Sequence, residues 1–441
     1  MGEVMMGRCS GKLTMAIEKA KVKAQKAKGW KVKRTKTLPF ALLVICFLPF
    51  VFCLSGCSSP QLAAGPDFEK NFQKALIQAK PGAIIEVPAG HHSISGTLSL
   101  SVPKVTIRGK GMSQTVLSFK NQKTGSAGMT VTAGDFTIED IAFEDTKGDA
   151  LKINGAENVT IRRVRTEWTG GPLETNGSYG LYPVQCKNVL IEDSVVIGAA
   201  DAGIYVGQSS QIIVRRNRVQ SNVAGIEIEN SQAADVHDNR ATKNTGGILV
   251  FNLPDLPVRD GRQVRVFSNQ VIENNLPNFA PKGNLVAKVP AGTGVMVMAA
   301  SQVDIYNNVI RDNATSNVSV ISYLVTGNPI KDKSYYPYTE GIYVHGNTIS
   351  GGGVKPDGEL AQKFIAATKK PMADIVYDGI VNAEKITGGG LPENLRVCVD
   401  GNGAATFMNL DAGRGFKGAS SDAKAVNCQL AALPAVKLPG T

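Results

Sequence analysis

The most regular feature of the chain is a short alternation of apolar and polar positions that recurs along most of its length. A six-residue pattern, apolar-x-apolar-x-x-Asn or apolar, begins at Phe136, Val159, Val189, Ile212, Ala234, Val264, Val303 and Ile342. Where no insertion intervenes, successive starts lie 22 to 23 residues apart. A period of two predicts β-strands and excludes helical repeats, whose period is near 3.6.

A second strand, led by a small residue, follows in most repeats. These strands begin at Ala150, Gly180, Gly203, Gly225, Gly247 and Gly294. Two such strands cannot bury their inward face alone, but stacked coils can, with each strand pairing in parallel with its equivalent about 4.8 Å away. The pattern therefore predicts an all-β parallel solenoid. Longer intervals predict insertions at 165–179, 253–263, 274–293 and 351–373.

Asparagines recur at fixed offsets from the strand starts. One column, five residues after the start, contains Asn217, Asn239, Asn269, Asn308 and Asn347. A second column, ten residues after the start, contains Asn222, Asn244, Asn274 and Asn313. We expect stacked amides at the coil corners, because Asn tolerates left-handed backbone and can bond the next Asn in the stack. Sugar recognition by these amides is the alternative interpretation.

An amphipathic segment precedes the repeats. Apolar residues at helical spacing over Asp67 to Lys80 predict a helix that ends at Pro81-Gly82. A solenoid end exposes core and strand edges, so we expect this helix to cap it. The predicted organisation is a capped solenoid over 67–400 and a C-terminal cap or tail over 401–441.

The positive charge belongs to the N-terminal segment and not to the predicted solenoid. Residues 1–56 contain eleven basic and two acidic residues, so nine of the eleven net positive charges lie there. A nucleic-acid surface should be a basic patch on the folded domain. We therefore expect no nucleic-acid partner.

Residues 1–56 have the pattern of an export signal with a long basic start. An apolar run from Leu38 to Leu54 suits a signal peptide better than a membrane span. The motif Leu54-Ser55-Gly56-Cys57 resembles the bacterial lipobox, which implies a lipid anchor on Cys57 after cleavage. Ser58 would then favour the outer membrane, with 57–66 as a tether. A non-lipidated signal or an uncleaved anchor are the alternatives.

The remaining cysteines bear on export and on metal binding. In an exported chain, a disulfide between Cys398 and Cys428 would close the C-terminal tail. Cys186 is then the odd thiol, which we expect to be a buried apolar residue. The sequence has four His and no CxxC, CxxCH or HExxH motif, so we expect no metal site and no cofactor.

The chain resembles right-handed parallel β-helix proteins of the pectin-lyase-like superfamily over about residues 67–400. The opening helix, the segment PAG followed by VTIRGKG, and the Asn columns carry this likeness. It is also similar to a family of bacterial exported β-helix lipoproteins of unassigned activity, through motifs at 274–283, 286–299 and 373–384. Members of that family tend to be encoded beside an exported dihaem c-type cytochrome protein, which implies such a partner.

The superfamily resemblance implies a polysaccharide lyase, hydrolase or epimerase, but the residues depart from those patterns. Asp149 and Asp201 occupy roughly the positions of polygalacturonase-like carboxylates, but two coils apart, or about 9.6 Å. The expected His is absent, because the following coils offer Ala224 and Gly246. The Asp-Pro-His signature of alginate epimerases is also missing. Asp201 and Glu227 remain the acid/base candidates.

The outward positions of the small-residue-led strands form the strongest candidate surface. One predicted column contains Lys152, Tyr182, Tyr205, Glu227, Leu249 and Met296, and its neighbour contains Asn154, Val184, Gly207, Glu229, Phe251 and Met298. Tyrosines beside carboxylates can stack on and hydrogen-bond sugar rings. This predicts binding residues Trp168, Tyr182, Tyr205, Glu227 and Glu229, with Trp168 as a wall.

Other interpretations of this face remain open. The polar half can be an ordinary solvated sheet surface, and we expect the insertions to cover the apolar half near Phe251. His237 is interpreted as an exposed, lone surface residue. Two functions follow: a lipid-anchored envelope scaffold that binds a saccharide or protein partner, or a polysaccharide-active enzyme. An inert structural lipoprotein is a third possibility.

Overall fold

Short strands separated by tight corners follow one another through residues 62–439, the part of the chain that the computed structural model describes. In chain order the strands are β1 Ile84–Glu86, β2 Gly90–Ser93, β3 Leu98–Leu100, β4 Thr106–Arg108, β5 Thr115–Ser118, β6 Ala127–Val131, β7 Phe136–Glu144, β8 Asp149–Asn154, β9 Glu157–Glu167, β10 Tyr179–Val184, β11 Lys187–Glu192, β12 Val195–Ile197, β13 Ala202–Gly207, β14 Ser210–Arg215 and β15 Arg218–Gln220. They continue as β16 Ala224–Glu229, β17 Gln232–His237, β18 Arg240–Thr242, β19 Gly246–Phe251, β20 Arg262–Phe267, β21 Gln270–Ile272, β22 Thr293–Met298, β23 Ser301–Tyr306, β24 Val309–Arg311, β25 Ser316–Ile321, β26 Glu340–His345, β27 Thr348–Ser350, β28 Ile375–Tyr377, β29 Val397–Asp400 and β30 Phe407–Asn409.

Helices are few. The two α-helices in the described part of the chain are α1, Phe68–Gln78, and α2, Glu359–Thr368. Short 3₁₀ turns occupy Leu285–Lys288, Tyr323–Thr326, Ala383–Lys385, Glu393–Leu395, Ala412–Arg414 and Ala423–Val426. Between residues 62 and 439, no helix has both the length and the apolar character needed to cross a membrane.

The strands stack in three parallel ladders, so the chain folds as a parallel β-helix. The first ladder contains β1, β4, β7, β9, β11, β14, β17, β20, β23, β26 and β29. The second contains β2, β5, β7, β9, β12, β15, β18, β21, β24 and β27. The third contains β3, β6, β8, β10, β13, β16, β19, β22, β25, β28 and β30. Because β7 and β9 run through both the first and second ladders, these two form one 19-stranded sheet, and the third is a separate 11-stranded sheet.

The second ladder corrects the predicted number of strands per coil. The sequence pattern predicted two strands, whereas each regular coil has a third, such as β12, β15 or β18. These strands are three residues long. Three residues give too little alternation to be recognised as a strand in the sequence.

The predicted register is confirmed along the first ladder. Val189 pairs with Ile212, and Ile212 pairs with Ala234. The pairing continues across the insertions, from Val264 to Val303 and then to Ile342. All of these side chains are fully buried or nearly so, which places the aliphatic core inside the coils.

The two predicted Asn columns are hydrogen-bonded stacks. In the first, each side-chain amide donates to the next Asn Oδ1 at 2.9–3.0 Å, from Asn217 through Asn347 to Asn402. The second runs from Asn222 to Asn313 and ends on Asn317. The left-handed corner residue precedes each ladder Asn instead of being that Asn, as at Arg216 (φ 55°). The ladder amides therefore satisfy buried corner backbone groups.

Helix α1 caps the N-terminal end as predicted, although it begins and ends slightly inside the predicted bounds. Phe68, Phe72 and Leu76 are buried against the first coils. The Glu69 carboxylate accepts hydrogen bonds from the backbone N–H groups of Ser95 and Gly96 at 2.9 and 2.8 Å. The helix thus covers both core and strand ends.

The C-terminal segment closes the first ladder. The predicted disulfide Cys398–Cys428 is present, and Cys186 is buried and unpaired. Strand β30 lies beyond residue 400, so the β-helix extends past the predicted boundary. After the disulfide, the tail packs Leu438 against Leu190 and Ile213.

His237 is neither lone nor freely exposed, contrary to the prediction. Its ring stacks on Phe267 at 4.7 Å, Phe267 on Tyr306 at 5.0 Å, and Tyr306 on His345 at 5.3 Å between ring centroids. These four residues occupy equivalent outward positions of the first ladder. Parallel stacking at the coil spacing explains why aromatic rings repeat there.

Candidate functional site

The outward face of the third ladder has the two columns that the sequence predicted. Tyr205 pairs with Glu227 and Gly207 with Glu229. Glu227 then pairs with Leu249, and Glu229 with Phe251. One coil carries both glutamates on one face, because residues two apart in a strand point the same way.

This face is not a solvated sheet surface. The exposed fractions of Tyr205, Glu227 and Glu229 are 5%, 3% and 8%. The predicted covering of the apolar half is confirmed: Val286 and Val289 of the 274–293 insertion pack in one cluster with Phe251, together with Met296 and Met298. The insertions thereby turn a flat sheet face into a partly enclosed site.

Between the insertions and the ladder lies a cavity of about 270 Å³, which we call the carboxylate cavity. Its lining residues are Ser178, Tyr179, Asp201, Glu227, Glu229, Phe251, Leu253, Asn284, Leu285 and Val286. Three carboxyl groups from two coils therefore face one enclosed space.

Asn side chains hold the two insertions that form the cavity walls. Asn230 Nδ2 donates to the backbone oxygens of Leu253 and Val258 at 2.9 and 2.6 Å, and its Oδ1 accepts from the Leu253 N–H. In the second insertion, Asn278 Nδ2 donates to the backbone oxygens of Val286 and Val289, both at 2.9 Å. The first insertion is therefore hydrogen-bonded to the ladder corner at Asn230, and the second is hydrogen-bonded within itself.

Burial favours the protonated form of all three carboxyl groups. Burial raises the pKa of Asp201 to about 7, and the charge of Glu229 adds to this. Burial raises the pKa of Glu227 well above its ordinary value, with the charges of Glu229 and Asp201 contributing. Burial also raises the pKa of Glu229. The cluster therefore holds at least one proton at neutral pH.

The partners of the three carboxyl groups differ. Glu229 Oε1 accepts from the Tyr205 hydroxyl at 2.6 Å. Asp201 Oδ2 accepts from the Tyr179 hydroxyl and from Asn284 Nδ2, both at 3.4 Å. Glu227 has Glu229 as its charged neighbour, and that charge raises the pKa of Glu227. No Lys, Arg or His of the described chain forms an ion pair with any of the three.

Asp149 does not belong to this cluster, which corrects its predicted equivalence to Asp201. In the third ladder Asp149 is in register with Tyr179 and Ala202, so it is offset by one residue from Asp201. The Lys152 Nζ lies 3.9 Å from the Asp149 carboxylate, which gives that group a cation nearby. The two aspartates consequently face different environments.

Three predicted binding residues, Tyr182, Tyr205 and Trp168, lie outside the lining of the cavity. Tyr182 is half-buried, and its ring centroid lies 4.4 Å from Tyr179 and 5.1 Å from Tyr205. It extends the tyrosine cluster toward solvent. Trp168 is 5% exposed and belongs to the solenoid core, with its indole Nε1 donating to the Thr146 backbone oxygen at 2.8 Å. The expectation that Trp168 walls a groove is therefore wrong.

The two residues that hydrogen-bond Asp201 were not predicted. Tyr179 was visible as the tyrosine one coil before Asp201, and the register now shows that its ring reaches that carboxyl group. Asn284 gave no signal, because an insertion has no repeat register from which its position could be inferred. Within residues 62–439, no group of three or more His, Cys, Asp or Glu is arranged to hold a metal ion.

The model of the family described as right handed beta helix region matches residues 105–260. Together with the three parallel ladders, this match confirms the predicted fold: a right-handed parallel β-helix with an N-terminal capping helix. No curated protein matches the chain.

Several solved structures are similar to the chain. One is the A-module of a mannuronan C-5 epimerase from Azotobacter vinelandii, at 20% identity and TM-score 0.46, covering 77% of this chain and 91% of that one. Another is the catalytic unit of a GH87 alpha-1,3-glucanase from Streptomyces thermodiastaticus, at 15% identity and TM-score 0.44, covering 73% and 49%. A DFA-IIIase variant from Arthrobacter chlorophenolicus has 14% identity and TM-score 0.44, covering 73% and 91%. Such similarity carries no argument about activity.

Proposed function

We propose that the protein binds a saccharide in the carboxylate cavity and acts on it by general acid–base catalysis. The observation that supports this is the presence of three buried carboxyl groups, Asp201, Glu227 and Glu229, around one cavity of about 270 Å³. Burying uncompensated carboxyl groups destabilises a fold, and such groups are typical of functional sites. A passive scaffold has no need of them.

The protonation states suggest a role for each carboxyl group. Glu227, whose pKa burial raises well above its ordinary value, is the proposed general acid, because burial favours its protonated form. Asp201, with a pKa of about 7, is the proposed general base. Glu229, held by the Tyr205 hydroxyl, is the proposed positioning residue, and its charge contributes to the raised pKa of Glu227.

The charge of the cavity favours neutral sugars over anionic ones. Ionisation of any of the three carboxyl groups makes the space negative, with no cation of the described residues to balance it. A polyuronate would bring further negative charge into that space, which costs free energy. Tyr179, the tyrosine that lines the cavity, offers an apolar ring beside a hydroxyl group, which suits a neutral sugar.

The test is a turnover assay on the unlipidated protein with panels of neutral and anionic polysaccharides. Reducing-end release reports hydrolysis, and absorbance of unsaturated products reports elimination. We expect turnover of a neutral glycan, and a loss of 10²-fold to 10⁴-fold in Glu227→Gln and Asp201→Asn. The matched control is Glu174→Gln, an exposed glutamate in the 165–179 insertion, which should keep full activity.

The outcomes separate the two functions. Turnover that survives Glu227→Gln would overturn the assigned chemistry. Saccharide binding without turnover, weakened by Tyr205→Ala, would favour the scaffold function instead. Thermal melting of each variant shows whether it is folded, so that loss of structure is not mistaken for loss of chemistry.

We also propose that the protein is anchored in the cell envelope through lipid on Cys57, which lies outside the described residues. The lipobox-like motif supports this. Metabolic labelling with palmitate, followed by membrane fractionation, should label the wild type and leave Cys57→Ala unlabelled and released.

We also propose a dihaem c-type cytochrome as a partner, as the family resemblance implies. Affinity capture followed by haem staining tests this, and capture of no haem protein would count against it.

A further inference from the structure

A second pocket, of about 400 Å³, adjoins the carboxylate cavity. Phe251 and Leu285 line both spaces, so the polar and apolar regions meet at these two side chains. Met296, Met298 and Ile321 form the floor of the second pocket from the outward face of the third ladder. The site is therefore longer than the carboxylate cavity alone.

Three separate segments wall this second pocket, which we call the methionine pocket. The 3₁₀ turn Leu285–Lys288 contributes Ala287, helix α2 contributes Leu360 and Ala361, and the 3₁₀ turn Tyr323–Thr326 contributes its own side chains. Its charged lining groups, such as Glu359, are exposed. The interior is mainly apolar, its buried Ser316 and Ser319 hydroxyls are hydrogen-bonded to each other at 2.6 Å, and the charged groups lie at the rim.

The size and lining of the methionine pocket indicate a small-molecule site. The methionine pocket is a partly open space of about 400 Å³, lined mainly by apolar side chains. Ligand pockets usually measure about 300–1,000 Å³ and have mainly apolar walls. Methionines also adapt their shape to flexible apolar chains.

We propose that the ligand is an alkyl or acyl glycoside, with its sugar in the carboxylate cavity and its apolar chain in the methionine pocket. This rests on the proposed saccharide site and adds the chemical class of the aglycone. A ligand that passes Phe251 and Leu285 meets hydrogen-bonding groups on one side and methionine and aliphatic groups on the other. A free polysaccharide would leave the apolar side unfilled.

The experiment is calorimetric titration with n-hexyl, n-octyl and n-decyl β-D-glucosides, each below its critical micelle concentration. Glucose and n-decyl oligo(ethylene glycol) ether are the head-only and chain-only probes. Each added pair of methylenes should tighten Kd by roughly tenfold, because each buried methylene contributes about 0.8 kcal/mol. The chain-only probe should bind at least tenfold more weakly than the decyl glucoside.

Two variants test the location. Ala287→Trp fills the methionine pocket from the half-buried turn, and Leu360→Gln makes its wall polar from the half-buried start of α2. Either should remove the dependence on chain length, and the use of two guards against one failing to fold. Leu173→Asp is the control, because Leu173 is 51% exposed and lies in another insertion.

The results distinguish this inference from the proposed function. Affinity independent of chain length would overturn the glycoside assignment, while turnover of soluble glycans would still support the acid–base site. Equal affinity for the glycol ether and the glucoside would show that the sugar contributes nothing, and would also overturn it. Chain-length dependence lost in both pocket variants and kept in Leu173→Asp would support it.

Discussion

Tyr205 reaches across Gly207 to donate a 2.6 Å hydrogen bond to the carboxylate of Glu229 on the next coil. The strand register pairs Tyr205 with Glu227, so the contact with Glu229 needs the ring to lean along its own strand. A Cβ atom at Gly207 would stand 2.3 Å from Tyr205 Cε1. The absence of a side chain at Gly207 therefore permits the hydrogen bond.

Removing this hydrogen bond should destabilise the protein most at alkaline pH. The Tyr205 hydroxyl lowers the pKa of Glu229 against the larger opposing effect of burial, so Tyr205→Phe raises that pKa further. Ionised Glu229 then loses its donor, and we expect a loss of ~1–3 kcal/mol in unfolding free energy at pH 8. Tyr182→Phe is the control, because the structure gives the Tyr182 hydroxyl no hydrogen bond. Urea unfolding at pH 5 and at pH 8 measures the unfolding free energy of Tyr205→Phe and of Tyr182→Phe.

Gly207→Ala should reproduce the effect of Tyr205→Phe without removing the Tyr205 hydroxyl group. The new methyl group forces the Tyr205 ring away from Glu229, because a rigid ring cannot yield at 2.3 Å. We expect a loss of ~1–3 kcal/mol and the same alkaline sensitivity. The double variant with Tyr205→Phe should lose little more than either single variant. Additive losses would show that Gly207 acts elsewhere.

The pKa of Asp201 makes a prediction about stability against pH. The pKa is about 7 in the folded protein and 3.8 in its ordinary state, so the folded protein holds a proton that the unfolded chain releases. This contribution is fully present below about pH 4 and is lost as the pH rises through 7. Asp201→Asn should therefore equal the wild type near pH 4 and exceed it by ~1–3 kcal/mol at pH 8.

Asp193, on the first ladder, provides a control in which removal of the charge should change stability in the opposite direction. The Arg216 guanidinium lowers the pKa of Asp193, so ionised Asp193 stabilises the folded state above about pH 4. Asp193→Asn should be the less stable variant at pH 8, by less than ~1 kcal/mol, because the pair is exposed to solvent. Thermal melting across pH 4–8 gives both differences. If Asp201→Asn also destabilises at pH 8, the uncompensated-charge account is wrong.

The register of the solenoid was predictable because its inward side chains leave little choice. A one-residue slip of a strand moves its whole apolar set to the outer face. Alternation at Val189, Ile212 and Ala234 therefore fixed the pairing, and with it the outward positions of Glu227 and Glu229. The Asn columns followed from the same spacing.

The closed shape of the site was not predictable from the repeat. Asn284 reaches Asp201 from an insertion, and the hydrogen bond joins residues 83 apart in sequence. Trp168 also could not be placed from the sequence. It lies near the start of an insertion, but its ring enters the core, where the absence of a side chain at Gly177 leaves room for the ring and Gly198 lies against the Trp168 Cβ. Local packing determines where the side chains of an insertion lie, and the repeat spacing does not predict their positions.

The first Asn column should be a large source of stability. Asn269 Nδ2 donates to Asn308 Oδ1 at 3.0 Å and to the Val236 backbone oxygen at 2.9 Å, while its Oδ1 accepts from the Asn239 N–H at 3.0 Å. Asn269→Ala leaves buried groups on two coils without partners, at a cost of ~3 kcal/mol or more. The control Asn427→Ala, at an exposed position, should change unfolding free energy by less than ~0.5 kcal/mol.

The disulfide should hold the C-terminal tail onto the first ladder. It joins Cys398, on the outward side of β29, to Cys428 across a separation of 30 residues, a closure worth up to ~3–4 kcal/mol in chain entropy. Beyond it, the extended tail packs Leu438 against the ladder, and the Val436 N–H donates to Asp235 Oδ2 at 3.1 Å. We expect the double variant Cys398→Ala/Cys428→Ala to release the tail before the coils unfold. Limited trypsin digestion should then cleave at the exposed Lys424 at least several-fold faster.

Cys186→Ala is the matched control for that digestion. Its thiol is buried and unpaired in the core, so its removal leaves a small cavity but does not free the tail. Reduction of the wild type should reproduce the double variant, and reduction of Cys186→Ala should give the same cleavage rate as reduction of the wild type. Equal cleavage at Lys424 with and without the disulfide would show that packing near Leu438, and not the covalent link, keeps the tail in place.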